Sequence, residues 1–333
     1  MIHHYAIEPF TAEGMTLFSN VFTRHLLCLA GVLALILALA EPSFAAPNVV
    51  VTIKPIHSLA ASVMEGVGEP KLLLDGGASP HSYALKPSDA EAVAHADAII
   101  RVSENLEVFL NKAMATLPEK ARVINLEETP GLTLHPVRYA ASFVAAASAG
   151  SEEEDEDGHH HGPIDVHFWL DPGNAMAIAD YLANEFSTMD PSHASLYRAN
   201  AAKLKARLMG LDTELRRTFS GLSDRPFIVF HDVTQYFEKR YGLHGLGAVT
   251  LSPERPPGAR RLAAIRQKIR DTKAVCVFSE PQFPPKLVET LIEGTDAKQG
   301  VLDEIGMAIP AGPQQYFAFM RANAESLAAC LRS

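Results

Sequence analysis

The chain has few cationic side chains, few cysteines and a single tryptophan among its 333 residues. Lysine and arginine number 29 against 39 aspartates and glutamates, which gives a formal net charge of -10 at pH 7. A nucleic-acid-binding surface needs clustered positive charge, so no nucleic-acid partner is expected. The 47% of hydrophobic residues and the mean hydropathy of +0.04 are typical of a folded globular protein, here long enough for two lobes.

An apolar run long enough for a retained membrane helix is also missing at the N-terminus. The run over residues 26–40 is shorter than the about 20 apolar residues that a spanning helix needs. A basic residue, Arg24, precedes it, and a small-residue cleavage site ending at Ala45 follows. This pattern predicts a signal peptide over residues 1–45, with translation starting at Met15, and export to the periplasm. The alternative is a retained membrane anchor.

Two cysteines, Cys276 and Cys330, would remain after removal of the signal peptide. In an oxidising compartment a lone pair of cysteines predicts a disulfide bond, here joining a strand to the last helix. The alternative is two buried free thiols.

Short apolar runs alternate with amphipathic segments on both sides of one long helical pattern. Because this alternation is typical of parallel sheets, we predict an α/β fold of two lobes, each with a mostly parallel four-stranded sheet flanked by helices. The predicted N-terminal lobe covers residues 46–190 and the C-terminal lobe residues 221–333. One long rigid helix over residues 191–220, spanning about 40 Å, would join the lobes. Ligands of such sheets bind in a cleft at the carboxyl ends of the strands.

An acidic and histidine-rich tract interrupts the first lobe. Residues 152–157 are all acidic, and His159, His160 and His161 follow. Such a tract cannot bury enough apolar surface to order itself, so residues 138–163 are predicted to form a mobile loop. Its histidines are expected to collect metal weakly, as an accessory to the main site.

Four potential metal ligands lie just past predicted strands or close the segment after the loop: His81, His167, His231 and Asp303. A single histidine at a strand end is more often a surface residue, but four ligands from two lobes would face the same cleft. Three imidazoles and one carboxylate suit zinc better than manganese or calcium. Glu280, at another strand end, would either orient a ligand histidine or cap the next helix.

The sequence resembles the metal-specific solute-binding proteins of ABC transporters, and within them the periplasmic zinc-uptake type. The motifs that carry the resemblance include Ser79-Pro80-His81, and they lie at residues 77–89, 165–172, 231–232, 241–243, 251–259, 278–283 and 302–303. The resemblance extends from about residue 49 to the C-terminus. It implies two α/β lobes, a rigid connecting helix and a metal in the interlobe cleft.

The resemblance also implies roles for individual residues. His81, His167 and His231 match the three ligand histidines of the family, and Asp303 matches its carboxylate. Manganese members carry Glu where this chain has His231, so zinc is favoured. Some zinc members have Glu where this chain has Pro80, which leaves the fourth ligand open between Asp303 and water. The cysteine pair also matches a disulfide of zinc members.

The expected function is therefore capture of Zn²⁺ in the periplasm and its delivery to an ABC permease by a monomer. Zinc is the transported ligand, and its affinity should fall as the pH drops through the histidine range near 6.5. The alternatives are a manganese or iron member of the same family, a zinc hydrolase, and an adhesin or structural binding module. The hydrolase is disfavoured because the chain contains no His-Glu-x-x-His pair.

Overall fold

The first half of the molecule is built on a parallel sheet of four short strands. A computed structural model describes residues 46–115, 121–138, 163–250, 253 and 257–333. The strands of this sheet are β1 (Val49–Val51), β2 (Lys71–Leu72), β3 (Ala98–Arg101) and β4 (Arg122–Asn125). They lie in the order β2-β1-β3-β4 and all pairs are parallel. The helices between them are α1 (Lys54–Val63), α2 (Pro87–Ala94) and α3 (Asn111–Met114).

Two helices follow this sheet. Helix α4 (Pro172–Met189) begins after Asp171, whose carboxylate accepts a hydrogen bond from the backbone N–H of Gly173. A 3-10 turn at Pro191–His193 then leads into α5 (Ala194–Thr218), which has 25 residues and a length of about 38 Å. The residues that α5 buries recur at helical spacing, as in Tyr197, Ala201, Leu204, Leu208, Leu211 and Leu215. The predicted long helix is confirmed.

The second half repeats the same construction. Its strands are β5 (Pro226–Val229), β6 (His244–Ala248), β7 (Cys276–Ser279) and β8 (Lys298–Val301), in the order β6-β5-β7-β8. All three pairs are parallel. The helices are α6 (Gln235–Tyr241), α7 (Ala259–Thr272), α8 (Lys286–Ile292) and α9 (Gln315–Arg332). Two parallel four-stranded sheets flanked by helices confirm the predicted fold class.

One hydrophobic core extends through both halves. Residues 46–333 form a single compact unit, and the main core contains Val50 and Ile99 of the first sheet as well as Phe227 and Phe278 of the second. Apolar side chains on central parallel strands are covered on both faces, which explains why these strands are continuous apolar runs in the sequence.

The predicted disulfide is present between Cys276 and Cys330. It fixes the end of α9 to the central strand β7 of the second sheet. Closing a loop of 54 residues contributes about 4 kcal/mol in the chain-entropy account of disulfide stabilisation. Among the helices that the structure describes, none is both long and apolar enough to cross a membrane.

Candidate metal centre

Four potential ligands meet at one point within the described part of the chain: His81, His167, His231 and Glu304. One ligand atom of each lies within 4.8 Å of the others. The Oε2 atom of Glu304 is 3.4 Å from His167 Nε2, 3.5 Å from His231 Nε2 and 3.8 Å from His81 Nε2. The structure thus brings together the three histidines predicted from the sequence.

The four residues come from separate segments of the chain. His81 lies in the irregular segment between β2 and α2, and His167 directly precedes a 3-10 helix at Phe168–Leu170. His231 follows β5, and Glu304 follows β8. In each parallel sheet the carboxyl ends of the strands lie at one edge. His81, His231 and Glu304 all follow such strand ends.

The carboxylate at this point belongs to Glu304, whereas the sequence left the fourth ligand open between Asp303 and water. The Asp303 side chain accepts hydrogen bonds from three backbone N–H groups that follow it, those of Ile305, Gly306 and Met307. Aspartate is short enough to close this turn on itself. Glu304 is consequently free to extend toward the histidines, and its carbonyl oxygen accepts a hydrogen bond from Trp169 Nε1 at 2.9 Å.

Two of the histidines are held from behind by buried carboxylates. His167 Nδ1 lies 2.8 Å from Asp165 Oδ1, and His231 Nδ1 lies 2.6 Å from Glu280 Oε1. Each contact directs the Nε2 atom of the ring toward the common point. Of the two roles considered for Glu280, the geometry therefore favours orientation of a ligand histidine.

The same carboxylates change the proton affinities of the site. Burial by itself would lower the pKa of His167, but Asp165 and Glu304 outweigh it and raise this pKa to about 9. Burial likewise opposes the charged form of His231, and Glu280 and Glu304 raise its pKa well above the ordinary value. Burial would raise the pKa of Glu304, but the three neighbouring imidazoles hold it well below its usual range. The carboxylate is therefore ionised at neutral pH.

The chemistry of the donor set fits a divalent cation. Both carboxylate oxygens of Glu304 and the Nε2 atom of His231 are buried and make no hydrogen bond to the described residues. Buried polar atoms are costly without a partner, and one cation at the common point would satisfy all three. Three nitrogens and one oxygen match the four-coordinate preference of Zn²⁺.

Two features of the site were predictable to different degrees. Asp165 lies two residues before His167, a local arrangement that a search for carboxylates next to each candidate ligand would detect. Glu280 is 49 residues from its partner His231, and only the adjacency of β5 and β7 brings the two together. The histidines of the predicted accessory loop, His159, His160 and His161, lie outside the described residues.

Comparison with known proteins identifies one family. Residues 49–330 match the model of the family described as "Zinc-uptake complex component A periplasmic". A relative from Brucella abortus (strain 2308), the high-affinity zinc uptake system protein ZnuA, is 44% identical over 305 residues, covering 85% of this chain and 91% of that protein. The protein of the same name from Yersinia pestis is 32% identical over 309 residues, covering 90% of this chain and 96% of that protein.

Solved structures share the fold. A crystal structure of ZnuA superposes with a TM-score of 0.71 at 23% identity, covering 86% of this chain and 99% of that one. The laminin-binding protein Lmb of Streptococcus agalactiae, described as bifunctional with adhesin and metal transporting activity, gives a TM-score of 0.70 at 26% identity with the same coverage. The arrangement of two sheets and a long helix is thus common to these proteins.

Proposed function

Because the chain belongs to the family of the periplasmic zinc-uptake component A, we propose that it captures Zn²⁺ through His81, His167, His231 and Glu304. Members of this family are substrate-binding proteins of a transporter, so the chain is a zinc-binding receptor for zinc uptake and not an enzyme. The observation that supports these four ligands is the convergence of three imidazole nitrogens and one carboxylate oxygen within 4.8 Å of one another.

The proposed ligands are tested by metal binding to the purified protein. We expect protein prepared without added metal to take up one tightly held Zn²⁺ in competition with a chelator, and to prefer zinc over equimolar Mn²⁺. The adjacent carboxylates offer a matched pair of variants. Glu304→Gln should weaken zinc binding by at least about tenfold, because it removes a charged ligand, whereas Asp303→Asn, which keeps one acceptor oxygen for the turn, should weaken it less. Equal losses in both variants, or a loss in Asp303→Asn alone, would overturn the assignment of Glu304.

The site is proposed to lie in the cleft between an N-terminal lobe of residues 46–190 and a C-terminal lobe of residues 221–333, joined by residues 191–220. We further propose that the protein works in the periplasm, as a monomer, after cleavage of the signal peptide near Ala45, and that it delivers zinc to an ABC permease. The periplasmic location of the family supports this. Mass spectrometry of protein from the periplasmic fraction should give a mature chain that starts near Ala46. A chain that retains residues 26–40 would contradict the proposed cleavage.

The acidic and histidine-rich tract is proposed to collect zinc weakly for the main site. Deletion of residues 152–161 should leave one tightly bound zinc and remove weaker binding seen at higher metal concentrations. Loss of the tight site in this variant, measured by the same chelator competition, would show that the tract is not an accessory.

A further inference from the structure

Arg138 is a partly buried arginine between two carboxylates near the metal centre. Its side chain is 10% exposed. The Nε atom donates to Asp232 Oδ2 at 2.7 Å, and Nη1 donates to Glu238 Oε2 at 2.8 Å. The Nη2 atom donates to the other oxygen of each carboxylate. Both carboxylates are therefore held by two N–H groups, an arrangement that fixes orientation as well as distance.

The two carboxylates belong to the segment that carries His231. Asp232 directly follows His231, and Glu238 lies on α6 one turn beyond Thr234. The Thr234 hydroxyl donates to Glu238 Oε1 at 2.7 Å. Arg138 therefore links Asp232, in the turn after His231, to Glu238 on α6.

Arg138 itself comes from the segment that supports His167. The backbone N–H of Val137 donates to Pro163 O at 3.1 Å, and that of Asp165 donates to His135 O at 2.8 Å. These bonds form a short antiparallel pair, which we call the clasp strands, from residues 135–138 and 163–165. The second clasp strand ends at Asp165, whose carboxylate orients His167.

Further hydrogen bonds join the clasp strands to the same helix. Gln235 Nε2 donates to Asp165 Oδ2 at 3.0 Å, and the Tyr236 hydroxyl donates to Asp165 O at 2.8 Å. Arg138 adds four hydrogen bonds to Asp232 and Glu238 to this contact between the clasp strands and α6. The distance between His167 and His231 thus depends on one contact surface, that between the clasp strands and α6.

We propose that Arg138 is a positioning residue that fixes the separation of His167 and His231, and so sets the rate at which Zn²⁺ leaves the site. This inference rests on the proposed function. Within the described residues the hydrogen bonds of the Arg138 side chain go to Asp232 and Glu238, so it acts through Asp232 on one side and through the clasp strands on the other. When the hydrogen bonds of the planar guanidinium to Asp232 and Glu238 are lost, the two histidines move apart more readily. The rate of zinc dissociation then rises more than the rate of zinc association changes.

Arginine is required because lysine cannot reproduce the fork. Its planar guanidinium engages two carboxylates at fixed angles, whereas an ammonium group is a point charge on a flexible stem. Arg138→Lys therefore keeps the buried charge and removes the geometry. Replacement by alanine would leave the buried Glu238 and the partly buried Asp232 without a counter-charge, which endangers folding, so lysine is the informative variant.

Arg240 provides a matched control. It is also held by two carboxylates, through Nε and Nη2 to Asp212 at 2.7 and 2.8 Å and through Nη1 to Asp171 at 2.8 Å. These contacts join α6 to α5 and to the start of α4, and none of them is made to a residue of the clasp strands. Arg240→Lys therefore makes the same chemical change in a similarly bonded arginine.

The experiment measures zinc release from the purified, zinc-loaded protein after mixing with excess EDTA in a stopped-flow instrument. We expect Arg138→Lys to release Zn²⁺ about tenfold faster than the wild type, with a much smaller change in the association rate, and Arg240→Lys to match the wild type. Asp232→Asn, which keeps the shape but weakens the pairing, should also accelerate release. Thermal unfolding of both lysine variants separates positioning from general destabilisation.

Unchanged release from Arg138→Lys would overturn the inference while leaving the proposed function intact. Equal acceleration in Arg240→Lys, with an equal fall in melting temperature, would overturn it too, because the effect would then be one of stability. A wild-type protein that holds no zinc would overturn the proposed function and the inference together.

Discussion

His167 and His231 are held differently from His81, although all three rings face the same point. His167 and His231 are 5% and 3% exposed, and each has a buried carboxylate behind its Nδ1 atom. His81 lies on an irregular segment, where its backbone N–H donates to Ser79 Oγ at 3.2 Å. One side of the site is therefore oriented before metal arrives, and the other depends on a loop. We therefore expect His81 to be the ligand that moves first when zinc enters or leaves.

Removal of a ligand histidine is the most severe test of this difference. His167→Ala and His231→Ala should each weaken zinc binding by more than about 100-fold, since they remove both a ligand and the partner of a buried carboxylate. His81→Ala should cost less, because the other three ligands keep their supports. Chelator competition on the three variants, with circular dichroism as a control for folding, measures the order. If His81→Ala were as damaging as the others, the two sides of the site would be equivalent.

Loss of the supporting carboxylates should be the next largest effect. Asp165→Asn and Glu280→Gln keep the shape of the side chain but weaken the contact with Nδ1, and each should reduce zinc affinity by about 10- to 100-fold. Glu107→Gln is a suitable control, because Glu107 is equally buried but bonds to Thr52 and to backbone N–H groups away from the site. Equal losses in the control and the two test variants would show that the effect is one of folding.

The pH dependence of zinc binding should also reflect the carboxylates behind His167 and His231. Zinc binds neutral imidazole, so a proton on His167 or His231 must leave before or during binding. Because neighbouring carboxylates raise the pKa of His167 to about 9 and that of His231 well above its ordinary value, the protonated form of both rings is favoured before zinc binds. Affinity should therefore rise with pH toward about 9 and fall as the pH is lowered.

Each displaced proton changes the affinity by up to about tenfold per pH unit. Calorimetry in two buffers of different ionisation enthalpy would count the protons released at neutral pH. The dependence should extend well above the range near 6.5 that unperturbed histidines suggest. An affinity that stays constant between about pH 7 and 9 would contradict proton displacement from the carboxylate-supported rings.

The smallest effect is expected at the loop that carries His81. Ser79→Ala removes the acceptor of the His81 backbone N–H, and one such hydrogen bond contributes about 0.5–1.5 kcal/mol. Zinc affinity should fall only a few fold, and chiefly through faster release. A loss as large as that of Asp165→Asn, measured under identical conditions, would mean that the loop is as strictly ordered as the buried side.

The sequence predicted the elements whose signal is local, but it named Asp303 where the structure places Glu304 beside the histidines. Runs such as Val49–Val51 are apolar because central parallel strands are buried on both faces, and this pattern is visible without a structure. The choice between Asp303 and Glu304 is not visible in this way, since both are carboxylates after the same strand. The choice depends on which of the two side chains accepts the backbone N–H groups of the turn at Gly306. This turn has a left-handed backbone at Gly306, with φ of 68°, and its closure cannot be seen in the sequence.

The junction at Arg138 was also beyond sequence reasoning. Its partners Asp232 and Glu238 lie 94 and 100 residues away, and nothing in the composition of residues 135–138 distinguishes this arginine from a surface residue. Charged pairs between distant segments are set by how the segments pack. By contrast, the three histidines could be identified, because each lies next to a strand end or a motif that has its own local pattern.

Trp169 has a consequence for how the molecule can be observed. It is the single tryptophan of the chain, its ring centroid lies 5.3 Å from that of His167, and its indole N–H is bonded to the carbonyl oxygen of Glu304. The indole therefore contacts two of the four proposed ligands, His167 and Glu304. Its fluorescence should respond to the protonation and metal occupancy of His167 without any added dye. The protein contains its own optical reporter, placed where zinc arrival and departure can be followed in real time.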